Sequence, residues 1–114
     1  MILLDAEASR PDTLSVGIAL FLDDRRDPPA GGGWTVVRSS AEAIRLLATG
    51  DVTYISFDHD LGDEDTGMLV VDWLDERAST DPSFPVPAWR VHSANPVGAA
   101  RIRAAMESIE RRRG

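Results

Sequence analysis

The chain has 114 residues, 43% of them apolar, and a formal charge of −7, which specifies one globular domain with a core of ordinary size and excludes a disordered tail. Its acidic balance, with a pI near 4.6, argues against broad binding to duplex nucleic acid while leaving room for a small anion held locally. No apolar run approaches the ~20 residues of a membrane span, the start lacks the basic flank of a secretory signal, and no cysteine is present for disulfides or thiolate metal sites, so a soluble cytoplasmic protein is expected. All 12 basic residues are arginine, and any mechanism that needs a lysine is excluded.

Residues 1–17 read as an N-terminal extension and residues 18–114 as the domain. The apolar run Ile18-Ala19-Leu20-Phe21-Leu22 stops at Asp23-Asp24, the pattern of a central strand buried on both faces. Proline and glycine then force a loop through residue 33. Trp34-Thr35-Val36-Val37-Arg38 is a second strand by its β-branched content. Ser39-Ser40-Ala41-Glu42 is a capping box opening a helix through Ile44, Leu47 and Ala48, closed by Gly50.

A third strand over about 53–57 runs into Asp58-His59-Asp60-Leu61-Gly62-Asp63, a turn crowded with carboxylates and one imidazole. Such a cluster costs stability unless a cation or a phosphate ligand uses it. Thr66 is the expected cap of a helix to about residue 78, with Leu69, Val70, Trp73 and Leu74 on its buried side. Asp60 and Asp63 to Asp65 read as acids serving capping and the helix dipole. After a proline-rich loop, Ala88-Trp89-Arg90-Val91 is a fourth strand ending at His92-Ser93-Ala94-Asn95. Asn95 suits the cap and Pro96 the first position of a last helix, whose arginines 111–113 complement its C-terminal dipole.

Strands separated by helices imply a parallel sheet with right-handed crossovers, in which ligands bind beyond the carboxyl ends of the strands. Asp23-Asp24, Asp58-His59-Asp60 and His92-Ser93-Ala94-Asn95 all fall at those ends. Three segments far apart in sequence therefore meet at one rim. Asp23, Asp24 and Asp58 are oxygen donors suited to a hard cation, Mg²⁺ or Mn²⁺. His59 and His92 are imidazoles that can serve as base and acid, each contributing ~10²- to 10⁴-fold. Ser93 and Asn95, with backbone donors at the start of the last helix, can hold phosphate oxygens.

Asp23-Asp24, Asp58 and Ser93, each closing a strand, are similar to the acidic pair, phospho-acceptor and hydroxyl residue of response-regulator receiver domains. More closely, Leu22-Asp23-Asp24-Arg25-Arg26, Asp58-His59-Asp60-Leu61-Gly62, Thr66-Gly67 and His92-Ser93-Ala94-Asn95-Pro96 resemble, in order over residues 18–110, the motifs of the cyclic-phosphate-processing receiver-like family. The resemblance implies a flavodoxin-like, doubly wound parallel sheet with four core strands, the fifth strand and last helix of a typical receiver missing. It also implies metal-assisted phosphoesterase-type action on a cyclic phosphate, of a nucleotide or an RNA end, with Asp58, His59, His92 and Ser93 at the reaction centre. Arg26 matches the family's Asp-Asp-x-Arg position and becomes the expected phosphate contact, while Arg25 stands where an acid is usual. The alternative is a non-enzymatic receiver or pseudo-receiver phosphorylated on Asp58, against which the missing lysine counts.

Overall fold

The apolar runs that end at Leu22 and Phe57 are each followed by an acid, and the fold follows from burying the former while leaving the latter at one edge. The computed structural model describes residues 17–113; the extension expected over 1–17 lies, apart from Gly17, outside the described residues. In chain order the elements are β1 (Ile18–Leu22), β2 (Trp34–Val37), α1 (Ser40–Leu47), β3 (Val52–Phe57), α2 (Gly67–Thr80), β4 (Ala88–Val91) and α3 (Pro96–Arg113). The four strands form one parallel sheet in the order β2-β1-β3-β4. That is the flavodoxin-like order without a fifth strand, as expected. None of the described helices is long and apolar enough to cross a membrane.

Alternation along the strands sorts the side chains. Leu20 and Leu22 of β1 and Ile55 and Phe57 of β3 join Ala43 and Leu47 of α1, Val70 and Leu74 of α2, and Ile102, Met106 and Ile109 of α3 in one core. Ala19, Phe21, Tyr54 and Ser56 point the other way. On that side Phe21 meets Trp34 edge-on at 5.8 Å, Trp34 meets Tyr54 at 5.7 Å, and the Arg90 guanidinium lies 5.3 Å over the Trp34 ring.

Local signals mostly act as expected, with informative exceptions. Ser39 Oγ accepts from the Glu42 amide at 3.2 Å, but Glu42 reaches back to the Arg38 amide, one residue before the cap. Gly50 ends α1 at φ +81°, a conformation that favours glycine. Thr66 stands at the cap position of α2 without a capping side-chain bond; the first turn is instead tied to the acidic loop by the Gly67 amide donating to the His59 carbonyl at 2.7 Å. Leu69, expected on the buried side, is 48% exposed. Val70 and Val71 are buried in its place, with Leu74 and Ala78 one and two turns on, which rotates the buried stripe away from Leu69. The terminal arginines clamp α3 rather than merely ending it: Arg112 pairs with Asp75 of α2, and Arg113 donates to the carbonyls of Ala78 and Phe84.

A β-carbon at Gly67 would lie 2.2 Å from the Asp58 carbonyl oxygen, so α2 can start this close to β3 only without a side chain. Gly67→Ala is expected to cost about 1–3 kcal/mol, the range for overpacking. Thermal unfolding of the variant should fall by ~4–8 °C per kcal/mol, against an unchanged Val97→Ala control at a position that is 70% exposed.

Candidate functional site

Parallel strands all present their carboxyl ends at the same rim, so the residues just after β1, β3 and β4 become neighbours. They line a cleft of about 510 Å³, whose walls include Asp23, Asp24 and Arg26 from the first segment, Asp58 and Asp60 from the second, and Ser93 and Asn95 from the third. Of the residues expected at the site, only His59 and His92 are not on this lining.

Asp23 is the most constrained of these groups. It is 1% exposed, and its Oδ1 accepts from the backbone amides of Arg25 at 2.9 Å and Arg26 at 2.8 Å, so the carboxylate builds its own turn. Its Oδ2 faces His92 Nε2 at 3.0 Å and Arg26 Nε at 3.3 Å. Burial pushes this carboxyl upward, but the amides of Arg26 and Arg25 together with His92 outweigh it and hold the pKa below the ordinary value. Arg38, at the end of β2, steadies the turn by donating to the carbonyls of Asp23 at 3.1 Å and Arg26 at 2.8 Å and to Asp27 at 2.7 Å.

Asp58 behaves oppositely. It is 7% exposed, and burial followed by the charge of Asp23 raises its pKa, more than the His59 amide (2.8 Å), His92 and the Ser93 hydroxyl lower it. Two buried carboxylates pushed apart in this way form a like-charge pair that a cation would relieve. Asp23, Asp58 and His92 each offer one ligand atom, all within 4.8 Å of one another. Asp24, the third acid expected to bind metal, lies outside that group but on the wall of the same cleft, its Arg25 partner 3.7 Å away.

The two histidines occupy different surroundings. His92 is stacked on Phe21 with ring centroids 4.3 Å apart and 7° between planes, and its Nδ1 meets Ser56 Oγ at 2.7 Å. The His59 ring packs on the start of α3, where a β-carbon at Gly98 would lie 2.3 Å from its Cγ. Its Nδ1 meets Asp60 Oδ1 at 2.8 Å, and Asp60 Oδ2 accepts from Asn95 Nδ2 at 3.2 Å. Hydrogen bonds from His59 and then Asn95 hold the exposed Asp60 carboxyl below its ordinary value.

Asn95 caps α3 as expected, its Oδ1 accepting from the amides of Val97 at 3.1 Å and Gly98 at 3.0 Å. Those helix donors, read from the sequence as phosphate contacts, are therefore already engaged. Ser93 Oγ accepts from the Asn95 amide at 3.1 Å and remains on the cleft wall. In the acidic loop, Asp65 caps a different helix from the one it precedes, accepting from the Ser40 amide of α1 at 2.9 Å.

Sequence reasoning overlooked Ser56, Arg90 and Arg38. Ser56 carried a usable signal, a polar residue inside the buried run Tyr54-Ile55-Ser56-Phe57. Arg90 and Arg38 carried none, because their partners lie on another strand and in the loop after the first strand.

Burial, opposed by the hydrogen bond and charge of Asp23, holds the His92 pKa below its ordinary 6.5. Between 6.5 and that lower value the unfolded chain binds more protons than the native one, so this contribution is complete above 6.5 and lost as pH falls. In divalent-free buffer the melting temperature should drop more between pH 7.5 and 5.5 for the wild type than for His92→Gln, and equal drops would remove the assignment.

No curated protein and no solved structure matches the chain significantly. The model of the cyclic-phosphate processing Receiver domain matches residues 18–108, a span that takes in all three segments of the cleft. By that match, and with the parallel sheet and acidic rim just described, the chain belongs to the cyclic-phosphate processing Receiver domain family.

Proposed function

We propose that the cleft binds a divalent cation, Mg²⁺ or Mn²⁺, and carries out phosphoesterase-type processing of a cyclic phosphate on a nucleotide or an RNA end. The observation that carries this reading is the buried pair Asp23 and Asp58, whose mutual repulsion is left standing at a rim that also offers a guanidinium and a hydroxyl. The donor set fits a hard ion: Asp23 and Asp58 would hold it, with Asp24 beside them able to act directly or through water. When bound, such an ion polarises a phosphoryl oxygen and acidifies a coordinated water.

The chain's own groups divide the remaining work. Arg26 meets Asp23 through Nε at 3.3 Å and is 57% exposed, so its two terminal nitrogens would take a phosphate in the forked geometry guanidinium favours. Ser93 supplies a short hydroxyl contact to a second oxygen. His92 adjoins the acids and acts on their protonation and orientation, while His59, turned onto Gly98, acts through Asp60 and Asn95 on the cleft wall. Asn95, with both ends of its amide engaged, shapes that wall more than it grips ligand.

A second reading, a signalling module phosphorylated on Asp58, is favoured by the placement of Asp58 and Ser93 at the ends of neighbouring strands. It lacks the lysine that would balance a phosphoryl group.

Purified protein with Mg²⁺ or Mn²⁺ is expected to open members of a panel of 2′,3′-cyclic and 3′,5′-cyclic phosphates, and Asp58→Asn and Arg26→Met to lose about 10²-fold or more in rate, the scale of deleting one group that stabilises transition-state charge. Intact substrates throughout the panel, together with stable labelling of Asp58 by a small phosphodonor, would transfer the assignment to the signalling reading.

Ion binding has its own readout. At a hundred times its Kd a divalent cation should stabilise the wild type by about 2.7 kcal/mol, a rise of roughly 10 °C or more. Asp58→Asn should melt higher than wild type without divalent ions, because the repulsion is gone, and respond little to their addition.

A further inference from the structure

The polar groups behind the acids form a chain that runs away from the cleft. Arg90 Nε donates to Ser56 Oγ at 2.9 Å, Ser56 Oγ meets His92 Nδ1 at 2.7 Å, and His92 Nε2 meets Asp23 Oδ2 at 3.0 Å. Ser56 is fully buried, and these are its only side-chain partners among the described residues. Arg90 lies along the sheet face that carries Trp34, its guanidinium 5.3 Å over that ring.

Donors and acceptors in this chain can be assigned by elimination. A guanidinium only donates, so Ser56 Oγ accepts from Arg90 and has one hydrogen left to give. If that hydrogen goes to His92 Nδ1, the imidazole carries its own proton on Nε2 and gives it to Asp23, and every polar hydrogen is used. The other neutral tautomer fails twice. Its Nδ1–H would point at Ser56, stranding the buried hydroxyl hydrogen without an acceptor, which is unfavourable. Its bare Nε2 lone pair would face a carboxylate oxygen 3.0 Å away, where the interaction is repulsive.

We infer that Arg90 and Ser56 are positioning residues that hold neutral His92 with its proton on Nε2, making it a hydrogen-bond donor to Asp23 and neither a general base at that nitrogen nor a nitrogen ligand to a cation. The tautomer follows from the hydrogen bonds alone; its consequence for the cleft rests on the proposed function. An Asp23 carboxylate fixed on one oxygen by two backbone amides and on the other by an imidazole N–H is oriented from both sides, the arrangement by which outer partners tune a ligand carboxylate. With nitrogen withdrawn from the donor set, the site presents oxygen only, which selects hard ions over zinc.

The test reads the proton directly. His59 and His92 are the only two histidines, so long-range ¹H–¹⁵N correlation spectra of the full chain at pH 7.5 without divalent ions resolve both rings, and a His59→Gln spectrum assigns them. The expected pattern for His92 is a protonated Nε2 and an unprotonated Nδ1. A protonated Nδ1 with a bare Nε2, or an even mixture, overturns the inference whether or not the protein turns out to be an enzyme. Arg90→Met, at an exposed position, is expected to fold and free the serine hydroxyl, which removes one of the two constraints and lowers the Nε2-protonated share below that of the wild type; an unchanged wild-type pattern would remove Arg90 from the chain of control. Ser56→Ala should lower that share likewise, and if it fails to fold, the wild-type and Arg90→Met spectra still decide.

Discussion

Two carboxylates buried side by side at the mouth of a parallel sheet are the constraint around which the rim is built. Asp23 and Asp58 are 1% and 7% exposed, and neither has a lysine to neutralise it anywhere in the chain. Charge buried without a partner is expensive, so the neighbouring backbone bends to meet it. Asp23 folds the turn after β1 around its Oδ1, and Asp58 takes the amide of the next residue. The supply of donors is uneven: Asp23 is well satisfied, and Asp58 absorbs the deficit as a raised pKa. Holding two acids here costs stability, which makes this rim the candidate site.

How much of this could be read from the residues divides along the range of the interactions. The strands were legible because each is a short apolar run bounded by acids, glycine or proline, and the rim followed from the rule that parallel strands share one ligand-binding edge. Caps made by adjacent residues, at Ser39 and Asn95, were legible for the same local reason. Asp65 was misread, and Thr66 takes the expected cap position without the capping bond, because both roles depend on what packs against them: the start of α2 is fixed by the His59 carbonyl, and Asp65 turns to the amide of a helix 25 residues away. Leu69 shows the limit of periodicity, since the adjacent pair Val70-Val71 fits a buried stripe in either phase and only the packed sheet selects one.

The two faces of the sheet explain why the histidines differ. All three helices share one core with Leu20, Leu22, Ile55 and Phe57, and the β1–β2 connection, which could have covered the other face, is a loop. Aromatic rings and one arginine shield that face among the described residues. His92 lies on this side, against Phe21, and can therefore be wired to Ser56 and Arg90 behind the sheet. His59 emerges beside α3, where Gly98 makes room for its ring, and the ring reaches the cleft through Asp60.

The position of Arg26 links the two ligands of the proposed function. In receiver-type sites the neutralising cation comes from a strand beyond β4; here that strand is absent among the described residues, and the nearest guanidinium stands three residues from an acid it already pairs with, at 3.3 Å. Asp23 is 1% and Arg26 57% exposed in that pair, so the acid is fixed while the guanidinium keeps access to solvent. Arg26 also lies on the wall of the cleft. Under the proposed function an arginine suits this place better than a lysine, because its fork can keep one nitrogen near the acid while two others take the anion.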